Sequence, residues 1–405
     1  MLNEISTVYR GLAHRLLQCI AMAIRPLRVE ELAEILALDF TVANGATPKL
    51  NEDCRFEDPQ EAVLSVCSSL IMVADSGQSR VVQFSHFSVK QFLTSRRLAD
   101  FQGEGYIGEE SAHTTLAQAC LGTLLRLDGS LGNLQADHRF PFARYASQHL
   151  VEHAQFGKVS SQIEDGMQRL FDSTRPYFAT WLSLYDMDEH WTPFGNSSAA
   201  RGSPLYYASF FGFRDLAEHI IKGHPAQVNA KGGRNLSPLA AALYKGHIHV
   251  ADLLLQHCAS IKVTGHNNQT LLQAASMDGR SDVARWLLDH SADTQSQRDD
   301  LGAPIHLATA NGHLEVIKTL LEHNVDIDSV DKDGRTPLHL ASYAGKAEIV
   351  SLLLDNSANT SAVDKDGRTS LFLATTTEVV RLLEHGASPD KEGRSTESGM
   401  ENAKV

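Results

Sequence analysis

His149, Glu152 and His153 form an H-x-x-E-H pattern, a spacing that could support metal-dependent hydrolysis. On a helix the two imidazoles would lie about one turn apart and could bind zinc, while Glu152 activated a bound water. Three fixed positions arise easily by chance, and no later helix offers an evident third carboxylate ligand. We therefore predict an ordinary helix here, with His149 or His153 half exposed and no metal bound.

Nucleotide and nucleophile chemistry have weaker support. A phosphate-binding P-loop needs the pattern GxxxxGK[ST], yet the two Gly-Lys pairs, Gly157-Lys158 and Gly345-Lys346, are followed by Val and Ala. The sequence has no G-x-S-x-G elbow, and Cys67 and Cys120 lie in apolar contexts typical of buried thiols. We predict a protein that is not an enzyme and has no catalytic residue and no cofactor.

Composition limits the class of protein. At 405 residues the chain has room for two domains, and 42% hydrophobic with 21% charged residues is ordinary for a globular protein. The net charge of -13 argues against general affinity for nucleic acid. Five cysteines without a CxxC pair fit reduced thiols, and no apolar stretch seen near the start could span a bilayer. We expect a cytoplasmic protein that binds neither nucleic acid nor membrane.

A repeated sequence pattern fills most of the C-terminal half of the chain, and its structural elements must position the functional side chains there. A proline or its equivalent recurs at 204, 238, 271, 304, 337 and 370, a spacing of 34 and then 33 residues. A glycine follows each of the first five after eight residues, at 212, 246, 279, 312 and 345. Such a period indicates one helix-turn-helix unit stacked repeatedly, each unit burying its neighbour's apolar face.

The copy at 336–341, Thr-Pro-Leu-His-x-Ala, is the clearest. Thr336 can cap the first helix of the unit and Pro337 suits its first position. This pattern strongly resembles the ankyrin repeat. The resemblance implies that His306 and His339 hydrogen-bond neighbouring backbone and have a structural role. The last copy is shortened, as expected of a terminal cap, and the polar segment 388–405 is predicted to be disordered.

Ankyrin repeats bind other proteins through hairpin tips and inner helices, so the resemblance implies a protein partner on the concave face. The inner-helix positions just before each recurring glycine are expected to be exposed. For Phe210 and Phe211 an alternative is packing against the preceding domain. The predicted protein-binding face consists of Phe211, Tyr244, Lys245, Met277, Asp278, Asn311, Lys332, Asp333, Arg335 and Tyr343.

The N-terminal half has the order of a winged helix. Amphipathic or capped segments predict helices over 5–24, 29–38 and 59–69. Two apolar runs, 70–73 and 81–84, flank a turn at 75–78 and predict a β-hairpin. A winged helix can read DNA with its third helix, but residues 56–79 contain no Lys or Arg. A nucleic-acid-binding regulator therefore remains the alternative function.

The run Phe-Ser-His-Phe-Ser-Val-Lys-Gln-Phe-Leu at 84–93, with Arg-Pro-Leu at 25–27, carries a second resemblance. It is similar to the winged-helix segment that follows the NACHT nucleotide-binding module in fungal receptors of the STAND class, where ankyrin repeats commonly follow. The resemblance implies that the winged helix packs on a nucleotide module, which here would have to be supplied in trans. We expect the sensor or regulatory half of a signalling receptor of this type.

The predicted architecture is mainly α. It comprises a NACHT-associated winged-helix domain at 1–100, a helical connector at 101–200, about six ankyrin repeats at 201–387 with the last one degenerate, and a tail at 388–405. The predicted function is a protein–protein interaction scaffold.

Overall fold

The computed structural model describes a defined part of the chain. These residues are 10–40, 47–51, 57–67, 69–77, 79–95, 98, 106–127, 139–185, 202–233, 237–262, 269–290, 292 and 302–386. The tail predicted to be disordered, 388–405, lies outside them.

The described residues are mainly helical, as predicted. The helices are α1 Arg10–Met22, α2 Val29–Leu36, α3 Pro59–Cys67, α4 Phe87–Leu93, α5 Glu109–Leu124, α6 Ala143–Ala154, α7 Val159–Gln162, α8 Glu164–Leu170, α9 Tyr177–Leu184, α10 Pro204–Phe211, α11 Arg214–Gly223, α12 Pro238–Lys245, α13 Ile248–Gln256, α14 Leu271–Met277, α15 Ser281–Asp289, α16 Pro304–Asn311, α17 Leu314–Glu322, α18 Pro337–Tyr343, α19 Ala347–Asp355, α20 Ser370–Leu373 and α21 Thr377–Gly386. The strands are β1 Leu38–Asp39, β2 Lys49–Leu50, β3 Ile71–Ser76 and β4 Ser79–Phe84.

The chain divides into two compact units. The first unit comprises Met1–Ala199 and Phe213–Pro225, and the second comprises Ala200–Gly212 and Ala226–Val405. The division therefore passes through the first repeat, because its outer helix α11 lies against α8 of the first unit.

The first unit begins as a winged helix. Helices α1, α2 and α3 precede an antiparallel hairpin of β3 and β4, whose register runs from the pair Ile71–Phe84 to the pair Ser76–Ser79. The Val82 amide donates to the Leu27 carbonyl at 2.9 Å, which attaches the segment before α2 to the hairpin. The predicted hairpin is confirmed, and both of its strands are longer than the apolar runs suggested.

The predicted C-terminal ends of the first three helices are each too late. Helix α1 ends at Met22 rather than residue 24, and α3 ends at Cys67 rather than residue 69. The second helix ends at Leu36 rather than Leu38, because Leu38–Asp39 pairs with Lys49–Leu50 in a short antiparallel sheet. Leu38 is buried by this pairing, so tertiary contact overrides the helical pattern.

The connector forms a small helical bundle on α5 and α6. These two helices pack closely along their length, and α5 also contacts α1 and α8. Trp181 on α9 is fully buried, and its indole N–H donates to the Ser147 carbonyl of α6 at 3.0 Å. Trp181 thus lies in the core of the connector together with Phe142, Tyr145 and Phe171, which are also buried.

In the second unit, most inner helices begin with a hydroxyl cap. The side chains of Ser237 and Thr336, for example, accept from the backbone amides of Ala240 and His339. The predicted cap at Thr336 is therefore confirmed. The recurring glycines at 212, 246, 279, 312 and 345 all have φ between +67° and +83°, a region that non-glycine residues rarely occupy. In the last repeat the inner helix is a single turn, Ser370–Leu373, and α21 follows after three residues.

Candidate protein-binding face of the repeats

The inner helices of the second unit form one continuous row. Helix α10 packs on α12, α12 on α14, and the same holds in turn through α16, α18 and α20. Equivalent positions of successive repeats therefore face the same side of the row. The two residues before each glycine lie at the C-terminal ends of these helices, because the glycine ends or closely follows the helix.

Some predicted face residues are exposed. Tyr343 is 66% exposed and Tyr244 is 38% exposed, and Asp278 and Asn311 are also exposed. A tyrosine supplies a large contact area at small entropic cost, so an exposed pair on one row suits protein recognition. Asp278 and Asn311 give this row a polar part.

Other predicted face residues are only half-buried, which corrects the expectation that all were exposed. The Lys245 ammonium lies 4.6 Å from the ring centroid of Phe210 on the preceding inner helix. Partial burial, and then the charge of Arg280, lower the pKa of Lys245. Phe211 stacks on Tyr207 at 6.2 Å between ring centroids, and the Met277 sulfur accepts from Gln269 at 3.9 Å. Lys245 is therefore covered in part by the preceding repeat, whereas Phe211 and Met277 contact side chains of their own repeats.

The hairpin tips add a second group. Lys332 and Asp333 are exposed, while Arg335 is half-buried and donates to Asp331 at 3.0 Å. The tip sequence Val-Asp-Lys-Asp-Gly-Arg-Thr occurs twice, at 330–336 and at 363–369. In both copies the arginine pairs with the two aspartates of its own tip.

The sequence interpretation missed the most apolar part of this surface. Val330 is 48% exposed and Val363, at the equivalent position of the next tip, is 56% exposed. Phe372, in the short last inner helix, is 73% exposed. The duplicated tip sequence was the signal that could have identified the two valines. Together with Tyr343, these residues place most of the exposed apolar surface described in this unit within 330–372.

The motif histidines are structural, as predicted. His306 Nε2 lies 2.9 Å from the Ser329 carbonyl, and His339 Nε2 lies 3.1 Å from the Arg368 carbonyl. Burial lowers the pKa of His306, although Asp331 and the two carbonyls that its ring contacts oppose the shift. A neutral imidazole that donates from Nε2 to a carbonyl of the next repeat links the two repeats.

The H-x-x-E-H residues lie on α6, but they do not converge on a metal site. His149 Nδ1 pairs with Glu152 at 2.9 Å, whereas His153 is fully buried and points elsewhere. His153 Nε2 contacts the Tyr145 hydroxyl and its Nδ1 contacts His113 Nδ1, each at 2.8 Å. Both ring nitrogens of His153 are therefore engaged. The prediction that His149 or His153 is half exposed is met by His149, while His153 is buried.

The described cysteines are free thiols, and Cys19, Cys67 and Cys120 are buried. Burial raises the pKa of the Cys67 thiol to about 12, so it stays protonated and poorly nucleophilic at neutral pH. The prediction that Cys67 and Cys120 are buried is confirmed. Within the described part of the chain, no group of three His, Cys, Asp or Glu side chains could hold a metal ion.

The fold consists of a winged-helix unit followed by a solenoid of helix pairs. Each of these two parts matches a known protein family. Residues 205–298 and 305–392 match the family "Ankyrin repeats (3 copies)". Residues 2–103 match the family "GPI inositol-deacylase, winged helix domain". The chain therefore carries ankyrin repeats and a winged-helix domain of the GPI inositol-deacylase type.

The chain is similar to known proteins over part of its length. This chain is 30% identical over 262 residues to the azaphilone pigments biosynthesis cluster protein L of Monascus ruber, a match that covers 60% of this chain. The match covers 54% of that protein, so the chain spans about half the length of this relative. Among solved structures, an ankyrin repeat domain from Acinetobacter baumannii is 28% identical, with TM-score 0.42, 45% of this chain covered and 97% of that one. The ankyrin repeat domain of Bcl-3 is 25% identical, with TM-score 0.41, 47% of this chain covered and 88% of that one.

Among the helices that the structure describes, none combines the length and the apolar character that crossing a bilayer would require.

Proposed function

We propose that this chain is a non-enzymatic scaffold whose ankyrin repeats bind a protein partner along the row of inner helices and the neighbouring hairpin tips. The observation that carries the proposal is the pair Tyr244 and Tyr343, two exposed aromatic side chains on inner helices of one continuous row. Exposed aromatic residues in a connected surface are characteristic of binding sites.

The proposal extends to the whole chain as the sensor or regulatory half of a NACHT-type receptor in the cytoplasm. A winged-helix unit followed by ankyrin repeats is the order that supports this role. The partner would occupy the repeats, and the winged-helix unit would transmit or restrain that event against a nucleotide module supplied in trans. Protein binding is the part of the proposal that experiments on this chain can test first.

The test is a comparison of affinities. Proximity labelling in cells that express the chain nominates a partner, and the purified partner is then titrated against the wild type and the double variant Tyr244→Ala, Tyr343→Ala. We expect the double variant to bind at least about tenfold more weakly, since truncation of central aromatic residues removes most of the binding energy of such surfaces.

A matched control keeps the test specific. Lys318→Ala with Glu348→Ala changes two exposed residues on outer helices and should leave the affinity unchanged. Circular dichroism checks that both double variants fold. An affinity of the tyrosine variant within twofold of the wild type would rule out the inner row as the binding face.

A further inference from the structure

The first unit contains a cavity of about 260 Å³ that no function described so far uses. It lies between the segment around β2, the C-terminal part of α5 and helix α8. Its lining includes Thr47 and Lys49 from the β2 segment, Arg126 just beyond the end of α5, and Arg169 from α8. All of these residues belong to the first compact unit.

Two glycines allow the β2 segment to approach the helices closely. A Cβ atom at Gly122 of α5 would lie 2.8 Å from the Pro48 carbonyl oxygen, which is too close for any side chain. A Cβ atom at Gly166 of α8 would lie 2.9 Å from Thr47 Oγ1. Gly122 therefore lets the Pro48 backbone lie against α5, and Gly166 lets the Thr47 side chain lie against α8.

The ionisable side chains that line the cavity are all basic. Lys49 and Arg169 are exposed and lie at its rim, and Arg126 is half-buried. The Arg126 guanidinium lies 5.0 Å from the ring centroid of Phe140, a contact that restricts its position. The carboxylate of Asp165 lies 3.8 Å from Arg169, but Asp165 is itself exposed and does not line the cavity. In a chain with a net charge of -13, this concentration of positive charge attracts an anion.

A buried hydroxyl group is a second, independent sign that the cavity binds an anion. Thr47 is 8% exposed, and its Oγ1 atom has no hydrogen-bond partner among the described protein groups. Buried polar atoms in native proteins are almost always hydrogen-bonded, so a hydroxyl in the cavity wall suits a ligand oxygen. A tetrahedral oxyanion could accept hydrogen bonds from Thr47 and the basic side chains together.

We propose that this cavity binds the phosphate group of a small molecule. A phosphate dianion supplies several acceptor oxygens, and each guanidinium of Arg126 and Arg169 presents planar donors that suit them, with Lys49 as an additional point charge. The cavity accepts a free phosphate or a small phosphate monoester, whereas ATP is too large for it. The site would let a phosphorylated small molecule bind to the connector beside the winged helix.

The experiment titrates the full chain with inorganic phosphate and, separately, with glycerol 3-phosphate, at ionic strength held constant with chloride. Isothermal titration calorimetry and thermal unfolding are the readouts, because a ligand that binds only the folded state raises the midpoint in a saturable way. We expect saturable binding of at least one of the two probes. The probe with the lower Kd shows whether the site prefers free phosphate or a phosphate ester.

Variants locate the binding. Arg169→Gln should raise the Kd about tenfold, since a charged hydrogen bond to the ligand is lost. Thr47→Val, which keeps the shape and all the charges, should weaken binding to a smaller extent. Arg144→Gln removes an exposed arginine of α6 outside the cavity and should change nothing. Lys49→Gln tests an exposed cation at the rim if another variant folds poorly.

The proposal fails if neither inorganic phosphate nor glycerol 3-phosphate produces more stabilisation than chloride at the same ionic strength. It also fails if Arg169→Gln and Lys49→Gln bind as tightly as the wild type while both remain folded. Neither result would bear on the tyrosine test of the repeats, because that test concerns the other compact unit.

Discussion

At the residue scale, the fourth position of the repeat motif decides how one repeat is joined to the next. His339 Nδ1 accepts from the Thr336 amide at 3.1 Å, and its Nε2 reaches the Arg368 carbonyl of the following repeat. Gln273 makes the same two contacts, since its Oε1 accepts from Thr270 N at 2.9 Å and its Nε2 donates to the Gly302 carbonyl at 2.9 Å. Two different side chains thus make the same pair of hydrogen bonds.

This equivalence predicts the behaviour of substitutions at His339. We expect His339→Ala to lower the free energy of unfolding of the repeats by about 2 kcal/mol, because a buried amide and a carbonyl lose their partner. His339→Gln should cost less than about 1 kcal/mol, since the amide can repeat the contacts of Gln273. Urea denaturation of the three proteins measures the difference. Equal losses for Ala and Gln would show that imidazole packing, rather than hydrogen bonding, stabilises this position.

At the element scale, a chain of hydrogen bonds ties together three helices of the first unit. The Ile24 amide, just after α1, donates to the Tyr145 hydroxyl of α6 at 3.1 Å. The hydroxyl contacts His153 Nε2, and His153 Nδ1 contacts His113 Nδ1 of α5. Since the hydroxyl already accepts from Ile24, it can donate its proton to His153 Nε2, which leaves His153 Nδ1 to donate to His113. Both imidazoles are neutral in this arrangement.

Because the two histidines of this hydrogen-bonded network are neutral, we predict that the first unit becomes less stable as the pH falls. Burial, followed by the charges of His113 and His149, lowers the pKa of His153 to about 3, and burial also lowers the pKa of His113. The unfolded state binds a proton near pH 6.5, whereas folded His153 does not, so its contribution is complete above about pH 6.5. Below that pH we expect the free energy of unfolding to fall by about 1.4 kcal/mol per pH unit for this residue.

Urea titrations at several pH values between 7.5 and 4.5 measure this slope. Other ionisable groups also contribute to the dependence on pH, so the relevant quantity is the difference between the wild type and His153→Gln. The variant should have a flatter dependence on pH, and His149→Gln, which changes a partly exposed histidine, should retain most of the wild-type slope. Identical slopes for the wild type and His153→Gln would contradict the prediction.

At the scale of the whole molecule, the chain joins two compact units of different construction. The repeats expose Tyr244 and Tyr343 on one row of inner helices, while the first unit contains the buried hydrogen-bonded chain of Tyr145, His153 and His113. Neither Gly-Lys pair of the sequence has the residues that a P-loop needs.

We accordingly expect ATP with magnesium to leave the thermal midpoint of this chain unchanged, because ligand binding to the folded state would raise it. Differential scanning fluorimetry over a range of ATP concentrations checks this expectation. A saturable rise that persists in Arg169→Gln would reveal a nucleotide site missed in the sequence. A rise that Arg169→Gln abolishes would instead show that the basic cavity accepts a triphosphate group, contrary to the size limit proposed for it.

Local chemistry explains which features were predictable. The period of 33, the glycines with positive φ, the hydroxyl caps and the helix order before the hairpin all depend on residues close together in the sequence. For the same reason the structural role of His306 and His339 could be anticipated from their motif position. At the candidate site, the exposure of Tyr244 and Tyr343 could be predicted because both residues lie just before a recurring glycine of the repeat.

The sequence by itself determined the architecture of winged helix and ankyrin repeats, since each element is specified by short-range patterns. The tertiary structure alone decided that His153 is buried and bonded through both nitrogens, that Lys245 lies over Phe210, and that Thr47 shares a cavity with Arg169. These facts depend on which distant segments pack together and on how much water each side chain loses. A one-dimensional pattern does not contain that information, because burial and charge proximity are properties of the packed chain.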